Sequence, residues 1–404
     1  MRVLWLTSSY PRHPTDSASV FLRHLAQALS REGIDVHVLA PDHPTVEPAA
    51  SPVPLHTFRY AFPRRRQKLA YGAGILPNLR RSPWLHAQIP GFVAAMAWAA
   101  WRLSHRLRPD LLHAHWILPQ GAIATLLGNR LHLPVVITAH GGDAFSLNGR
   151  LLGGLKRWTL RHADAWTSNT RTTAAATGSP VAPTVIPMGV DWRRFARADP
   201  IPLSEAGDSP IVLFVGRLVE KKGVADLLTA FASLPPSLNA RLWIVGDGSE
   251  RQRLEDWARR LGIAARTRFF GRIPNEALPA YYAAAEVFVA PSVIDRRGDT
   301  EGQGVVLLEA MASGTAIVAN RVGGIGEVIE DGITGLLAPA GDPAALSGKL
   351  AQALNDAALR RRLARRAREK ARAYDWPVIA RRFAGFYRTL VPAPQCYYSG
   401  KNFP

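Results

Sequence analysis

Residues 211–245 read IVLFVGRLVEKKGVADLLTAFASLPPSLNARLWIV, and this stretch decides the fold. Ile211 to Val215 is a short apolar run suited to a strand buried on both faces. A helix-period segment from Val224 to Ser233 follows, and Arg241 to Val245 is a second apolar run. Strand, helix and strand in so short a span form a βαβ unit, whose two strands run parallel.

The alternation continues on both sides. Downstream lie a helix at Ser249 to Leu261 and strands at Thr267 to Phe270, Glu286 to Ala290, Ala316 to Ala319 and Gly335 to Leu337. Upstream, strands at Val3 to Thr7 and Asp35 to Leu39 flank a helix from about Ser19 to Arg31. Further strands are expected at Leu111 to His115, Val135 to Thr138, Ala165 to Ser168 and Thr184 to Ile186. The expected fold class is α/β, with two Rossmann-like doubly wound domains. Residues 1–190 form the first, 191–210 a polar, Pro-containing linker, and 211–375 the second. Two helices follow Asp342; in the second, Arg360 to Arg372 reads as a solvated basic face over a stripe of Leu363, Ala364 and Ala367. A last amphipathic helix lies within 376–391, and residues 392–404 read as a loosely attached tail.

The whole chain has 404 residues, 47% hydrophobic and 20% charged, which excludes wholesale disorder. Its formal charge of +19 favours phosphorylated ligands, polyanions or anionic membranes. The one cysteine, Cys396, excludes an internal disulfide and a Cys-based zinc site, so a cytoplasmic setting is expected. Met1 to Tyr10 reads as a first strand rather than a secretory segment. The apolar run from Pro90 to Trp101 is too short to span a bilayer, which needs about 20 residues.

Dinucleotide binding is disfavoured, because Gly246-Asp-Gly248 has Arg251 where a third glycine would stand. No Asp-x-Asp holds a divalent ion against a diphosphate, and no phosphate loop with its Gly-Lys-Ser/Thr ending is present. Phosphate charge would therefore be met by protein cations. Gly216-Arg217-Leu-Val-Glu-Lys-Lys222-Gly223 supplies them at a strand end: Arg217 as a planar fork, Lys222 as a point charge, and N–H groups at a helix start. Glu301-Gly-Gln-Gly-Val-Val-Leu-Leu-Glu309 adds a tight turn before a helix, with carboxylates suited to sugar hydroxyls.

Together these segments resemble the retaining nucleotide-sugar glycosyltransferases of the GT-B fold, family four. The resemblance runs in order from Ser8-Ser-Tyr-Pro11 through His113-Ala-His-Trp116, His140-Gly-Gly-Asp143 and Pro187-Met-Gly-Val-Asp191. It continues through Gly216-Arg217, Lys222-Gly223, Val245-Gly-Asp-Gly248, Phe270-Gly-Arg272, Glu301 with Glu309, Gly323-Gly324 and Asp331 to Gly335. The resemblance implies that Arg217 and Lys222 clamp the donor diphosphate in place of a metal. It implies Glu309 for the ribose hydroxyls, and Glu301 for the donor sugar beside the backbone of Gln303, Gly304 and Val305. Arg272 and Ile273 would line the base, and His140 would approach the sugar from the N-terminal domain. Asp143 would orient His140 or touch the acceptor, and the last helix would cross back onto the N-terminal domain.

No metal or cofactor is implied beyond the nucleotide diphosphate sugar as donor, and no protein nucleophile is needed, since the acceptor hydroxyl attacks from the face that the diphosphate leaves. Nucleic acid is not an expected partner; a glycan or lipid-linked acceptor is. Two alternatives stay open: a GT-B nucleotide-sugar epimerase, and a polyanion-binding scaffold. Where many relatives have paired glycines, Thr15-Asp16-Ser17-Ala18-Ser19 stands, so Ser17, Ala18 and Ser19 line the acceptor loop and either serine could cap the helix. Gln303 replaces an apolar residue. His113 and His115 read as a packed strand end, and Trp98 and Trp101 as core. Basic and aromatic residues alternate from Arg59 to Trp84, a segment suited to peripheral association with an anionic membrane.

Overall fold

The computed structural model describes the chain except for residues 17, 73, 147–148, 202–208 and 392–404. Ser17 and the expected tail thus lie outside the described residues. The first sheet has seven strands: β1 (Arg2–Leu6), β2 (Asp35–Pro41), β3 (Leu55–Phe58), β4 (Leu111–His115), β5 (Val135–Ala139), β6 (Ala165–Ser168) and β7 (Thr184–Val185). Their spatial order is β3-β2-β1-β4-β5-β6-β7. The second sheet has β8 (Ile211–Val215), β9 (Arg241–Val245), β10 (Thr267–Gly271), β11 (Val287–Ala290), β12 (Ala316–Arg321) and β13 (Leu336–Pro339), ordered β10-β9-β8-β11-β12-β13. The pairings are parallel, as in Trp5 opposite His113 and Phe214 opposite Ile244. Every residue of β4, β5 and β8 is buried, as expected where helices cover both faces.

Two Rossmann-like domains of this kind constitute the GT-B fold. Each sheet reverses its winding once, at β1/β4 and at β8/β11. Loops leaving the carboxyl ends of strands at such a point open a crevice, the usual ligand position in doubly wound sheets.

The helix Trp376–Leu390 ties the two ends of the chain together. Its apolar positions Ile379, Ala380, Phe383, Ala384 and Tyr387 follow helical spacing and pack with Val3, Trp5, Leu22 and Leu25 in the N-terminal core. Full burial of Phe383 contributes on the order of 2 kcal/mol. Asp375 caps this helix and accepts Trp192 N–H at 3.2 Å, while Val190 bridges to Asp375. The outgoing and returning strands of the chain thus cross between domains side by side.

Residues 191–210 are not a plain linker. Asp191 caps a short helix, Trp192–Ala196, by accepting Arg194 N–H at 3.1 Å, and Phe195 is buried in the second domain's core. One turn of helix is too short for its periodicity to register in the sequence. Trp98 and Trp101 are a second correction: they stack on each other at 5.0 Å on the outer face of the helix Ile89–Leu107, 62% and 38% exposed. That helix turns Phe92, Met96, Ala100 and Leu103 inward instead.

Candidate active site

The loop leaving β8 makes a short 3-10 turn at Glu220–Lys222 and ends in Gly223, whose φ of +63° places it in the left-handed region. A Cβ there would lie 1.9 Å from the carbonyl oxygen of Pro291, on the loop leaving β11. Only glycine lets the two loops meet so closely. Lys221 reinforces the contact, donating to the Asp299 carboxylate at 3.0 Å and to Thr300 O at 3.1 Å. The neighbouring Lys222 forms an ion pair with Glu301.

Glu301 is held between opposing effects. Burial pushes its carboxyl up, but Lys222, Lys221 and Arg217 outweigh burial and keep it below the ordinary range. It is therefore ionised. Arg217 is exposed at the mouth. Beyond Glu301 the turn through Gly304 opens the helix Val305–Ser313, whose N-terminal N–H groups favour negative charge. Lys222, Ser292, Glu301, Gly304, Val306 and Leu307 line a small hollow at this junction.

Glu309, on the second turn of that helix, accepts the Tyr282 hydroxyl at 2.8 Å through one oxygen. Burial drives its carboxyl up to about 7, against the lowering influence of Tyr282 and Arg194. Arg272 is exposed and Ile273 packs partly against the second domain's core, both just beyond β10.

The N-terminal domain closes over the turn. A Cβ on Gly141 would lie 3.1 Å from Gly302 Cα, and Thr170 Oγ1 donates to Gly302 O at 3.1 Å. The Glu327 carboxylate accepts Arg171 N–H at 2.8 Å, Thr172 N–H at 2.7 Å and the Thr172 hydroxyl, capping the helix Arg171–Ala176 from the opposite domain. His140 therefore stands beside Gly302, its ring packed on Phe21, His115 and Trp116. Burial pushes its imidazole down to about 3, so it is neutral.

The structure thus brings Lys222, Glu301, Gly304, Val305 and His140 together, with Arg217 at the rim. Side-chain contacts refine three expectations. Gln303, expected beside the donor through its backbone, uses its side chain to lock the turn to the first domain: Oε1 accepts Met188 N–H at 2.8 Å and Nε2 donates to Met188 O at 3.1 Å. Asp143 is 5% exposed, and its carboxylate accepts the backbone N–H of Ile117 at 2.8 Å and of His140 at 3.1 Å. Of the two expected roles these bonds favour orienting the His140 loop, and the carboxylate is not presented to an acceptor. Ser19 makes no side-chain cap; it takes φ +51°, the region a glycine would favour, so the chain keeps the turn and strains a serine. Ala18 N–H instead donates to Asp16 Oδ1 at 3.1 Å.

Sequence reasoning missed Asn169, Lys156 and Glu327. Asn169 is 6% exposed and donates to His140 O at 3.4 Å; among the described residues neither its own Oδ1 nor His140 Nδ1 has a partner. Buried Lys156 donates to Ala144 O at 2.8 Å behind the His140 loop. Lys156 had a signal: it shares the inward stripe of the helix Arg150–His162 with Gly153 and Leu160, where an unexplained lysine is costly. Among the described residues no group of three or more His, Cys, Asp or Glu is arranged to hold a metal ion.

Glu309 yields a pH prediction. With its carboxyl raised to about 7 from an ordinary 4.5, the folded chain holds a proton that the unfolded chain loses. Its contribution to stability therefore falls as pH rises from 4.5 to 7 and is level above. A ligand hydroxyl donating to the ionised form must expel that proton. Nucleotide diphosphate affinity is expected to rise toward pH 7, by up to about tenfold per unit, and then flatten. Calorimetry of wild type against Glu309→Gln checks this: the variant should bind more weakly and lack that component. Equal affinity and equal pH dependence would remove Glu309 from nucleotide binding.

Comparison with known proteins agrees with this arrangement. The family model "Glycosyltransferase Family 4" matches residues 18–194, and "Glycosyl transferases group 1" matches residues 197–370. The chain is 29% identical to a glycogen synthase of Mycobacterium tuberculosis, over 96% of its own length and 94% of that protein's. It is 32% identical to a D-inositol 3-phosphate glycosyltransferase of Geodermatophilus obscurus, over 72% of this chain and 69% of that one. Among solved structures, the sucrose-phosphate synthase of Thermosynechococcus elongatus superposes with a TM-score of 0.76 at 26% identity, covering 96% of this chain and 99% of its own. Anabaena HepE, solved with UDP and glucose, shares the fold at 20% identity, with a TM-score of 0.75 over 96% of this chain and all of its own. Paired with the two facing domains and the loops gathered between them, these matches establish that the chain belongs to the group 1 glycosyltransferases of the GT-B fold.

Proposed function

We propose that the protein is a retaining, metal-independent glycosyltransferase that moves a sugar from a nucleotide diphosphate sugar to an acceptor hydroxyl in glycan or glycolipid synthesis. The observation that carries this reading is the convergence at Gly302: the Lys222–Glu301 ion pair on one side, and on the other the buried atoms His140 Nδ1 and Asn169 Oδ1, which have no partner among the described residues. Unpartnered polar atoms at a closed junction are costly unless a polar ligand meets them. A hexose offers hydroxyls to both sides at once.

The chemistry follows from these groups. Lys222 and Arg217 gain interaction energy as charge accumulates on the departing diphosphate, and so favour the transition state over the bound donor. Glu301, kept ionised, accepts sugar hydroxyl protons in hydrogen bonds and fixes the ring. Glu309 accepts from the ribose through the oxygen that Tyr282 leaves available. The attacking hydroxyl passes its proton to a phosphate oxygen of the leaving group, on the same face, and anomeric configuration is retained. UDP-, GDP- and ADP-sugars differ at the base, beside Arg272 and Ile273; the UDP bound by HepE makes a UDP-sugar the first donor to test.

Screening thermal stabilisation by UDP, GDP and ADP, then assaying transfer with and without EDTA, tests the reading. Turnover should survive EDTA, and NMR of the product should show the donor's anomeric configuration. A magnesium-restorable loss, or an inverted product, overturns it. Release of free nucleotide diphosphate with an altered free sugar and no acceptor product would favour an epimerase.

We also infer that the protein works on the cytoplasmic face of a membrane, bound peripherally. No helix among the described residues is long and apolar enough to cross one. Phe62 and Trp84 are 88% and 56% exposed, among exposed Arg65, Arg66, Lys68, Arg80 and Arg81. Arg64 and Arg59 contribute less, since both bind Asp42, at 2.6 Å and 3.0 Å. Each suitably placed free cation adds about 1 kcal/mol at an anionic surface, screened by salt. Co-sedimentation with anionic liposomes should be strong at low salt, weaker at high salt, and lost when Phe62, Arg65, Arg66 and Trp84 become serine. Equal sedimentation of that variant, or none by wild type at low salt, refutes the surface.

A further inference from the structure

Three histidines stand side by side on neighbouring strands: His113 and His115, fully buried on β4, and His140, partly buried just past β5. His113 is satisfied on both nitrogens. Its Nδ1 is 2.6 Å from the Tyr387 hydroxyl and its Nε2 2.7 Å from Thr138 Oγ1, which lies 2.6 Å from Thr167 Oγ1. With Tyr387 donating to Nδ1, His113 donates to Thr138, and Thr138 to Thr167. The last helix thereby reaches from residue 387 to fix the ring of residue 113.

His115 is fixed in turn. Its ring centroid lies 4.2 Å from that of His113 and 4.3 Å from that of Trp5, edge-on to the indole. Its Nδ1 is 3.0 Å from His140 Nε2. Among the described residues neither His115 Nε2 nor His140 Nδ1 has a partner. Burial holds all three imidazoles well below their ordinary range, with their neighbours' charges adding at His113 and His115, so they are neutral. Two neutral rings share one proton across the Nδ1–Nε2 contact.

That leaves two arrangements. If His140 donates, the N–H left without a partner is His115 Nε2–H, on a ring that is fully buried between Trp5 and His113. If His115 donates, the N–H left over is His140 Nδ1–H, on a partly exposed ring next to the Gly302 turn. A buried N–H without a partner is rare, and only the second can be met by a ligand hydroxyl. We propose that His115 is a positioning residue: its Nδ1–H donates to His140 Nε2 and holds His140 in the tautomer protonated on Nδ1. The ring then offers an N–H to a hydroxyl oxygen of the donor sugar beside Gly302. This assignment rests on the placement of His140 at the donor sugar, and it gives the His113-Ala-His115 motif a function beyond packing.

The test uses the full chain labelled with [15N]histidine, with His140 assigned by the signal lost in His140→Gln. Long-range proton–nitrogen correlation should show His140 protonated on Nδ1 and bare on Nε2. His115→Leu should shift His140 toward the other tautomer and lower turnover about 10- to 100-fold, the usual scale for an orienting partner, with nucleotide diphosphate affinity unchanged. His115→Asn, which restores an N–H near the Nδ1 position, should recover most of that loss. An Nε2-protonated His140 in wild type overturns the proposal, as does a Leu variant whose activity falls only in step with thermal stability while the tautomer stays put. If wild type turns over no nucleotide sugar, the functional reading fails, yet the tautomer measurement still decides the hydrogen bond.

Discussion

Lys222→Ala is expected to lower turnover about a hundredfold or more at saturating donor, and Arg217→Ala by a comparable factor. Each removes a cation whose attraction for the diphosphate grows as the glycosidic bond breaks, so the loss falls on kcat rather than on donor affinity alone. Lys222→Ala has a second consequence. Glu301 keeps its burial but loses its nearest cation, so its carboxyl moves up toward neutral pH. An unpaired buried charge costs roughly 3 kcal/mol, and thermal unfolding should register it. Adding Glu301→Gln removes that stray charge, so the double variant should regain stability without regaining turnover. Near-normal turnover in both single variants would exclude the clamp; recovery of turnover in the double variant would mean that Lys222 acts only as a structural counterion.

Gly223→Ala should be as damaging, by a different route. Its φ of +63° costs a residue with a Cβ about 1–2 kcal/mol, and the added carbon would sit 1.9 Å from Pro291 O, so two backbone segments must separate. Separation of the loops after β8 and β11 pulls Lys222 from Glu301. A displacement of about 1 Å can cost on the order of a hundredfold in rate. Gly33→Ala is the control, since φ is +78° there but nothing lies within 4 Å of the new carbon. It should carry the conformational cost alone and leave turnover intact. If the two variants prove equally stable and equally active, the loop contact is not what organises the site.

Both predictions concern residues already visible in the sequence, because their signals are local. Apolar runs of strand length alternating with helical spacing specify two parallel sheets whatever lies far away in the chain, and a basic loop or a tight turn after a strand is a short-range pattern. Arg217, Lys222, Glu301, Glu309 and His140 stand out on those terms as candidates once the ordered motifs are set beside the family they resemble.

What escaped was set by long-range packing. Nothing near Gln303 in the sequence shows that Met188, 115 residues earlier, takes its side-chain amide. Asp143 looked available, but two backbone N–H groups occupy its carboxylate. Phe195 looked like linker until its burial in the second domain moved the crossing point to Asp191. His113 and Tyr387 stand 274 residues apart and meet at 2.6 Å only because the last helix folds back onto the first sheet. The sequence by itself determined the number of domains, the strands apart from the four-residue edge strand β3, and the chemical types gathered at their ends. Tertiary structure alone decided which of those side chains remain available to a ligand, because close packing spends polar groups on partners that no local pattern reveals.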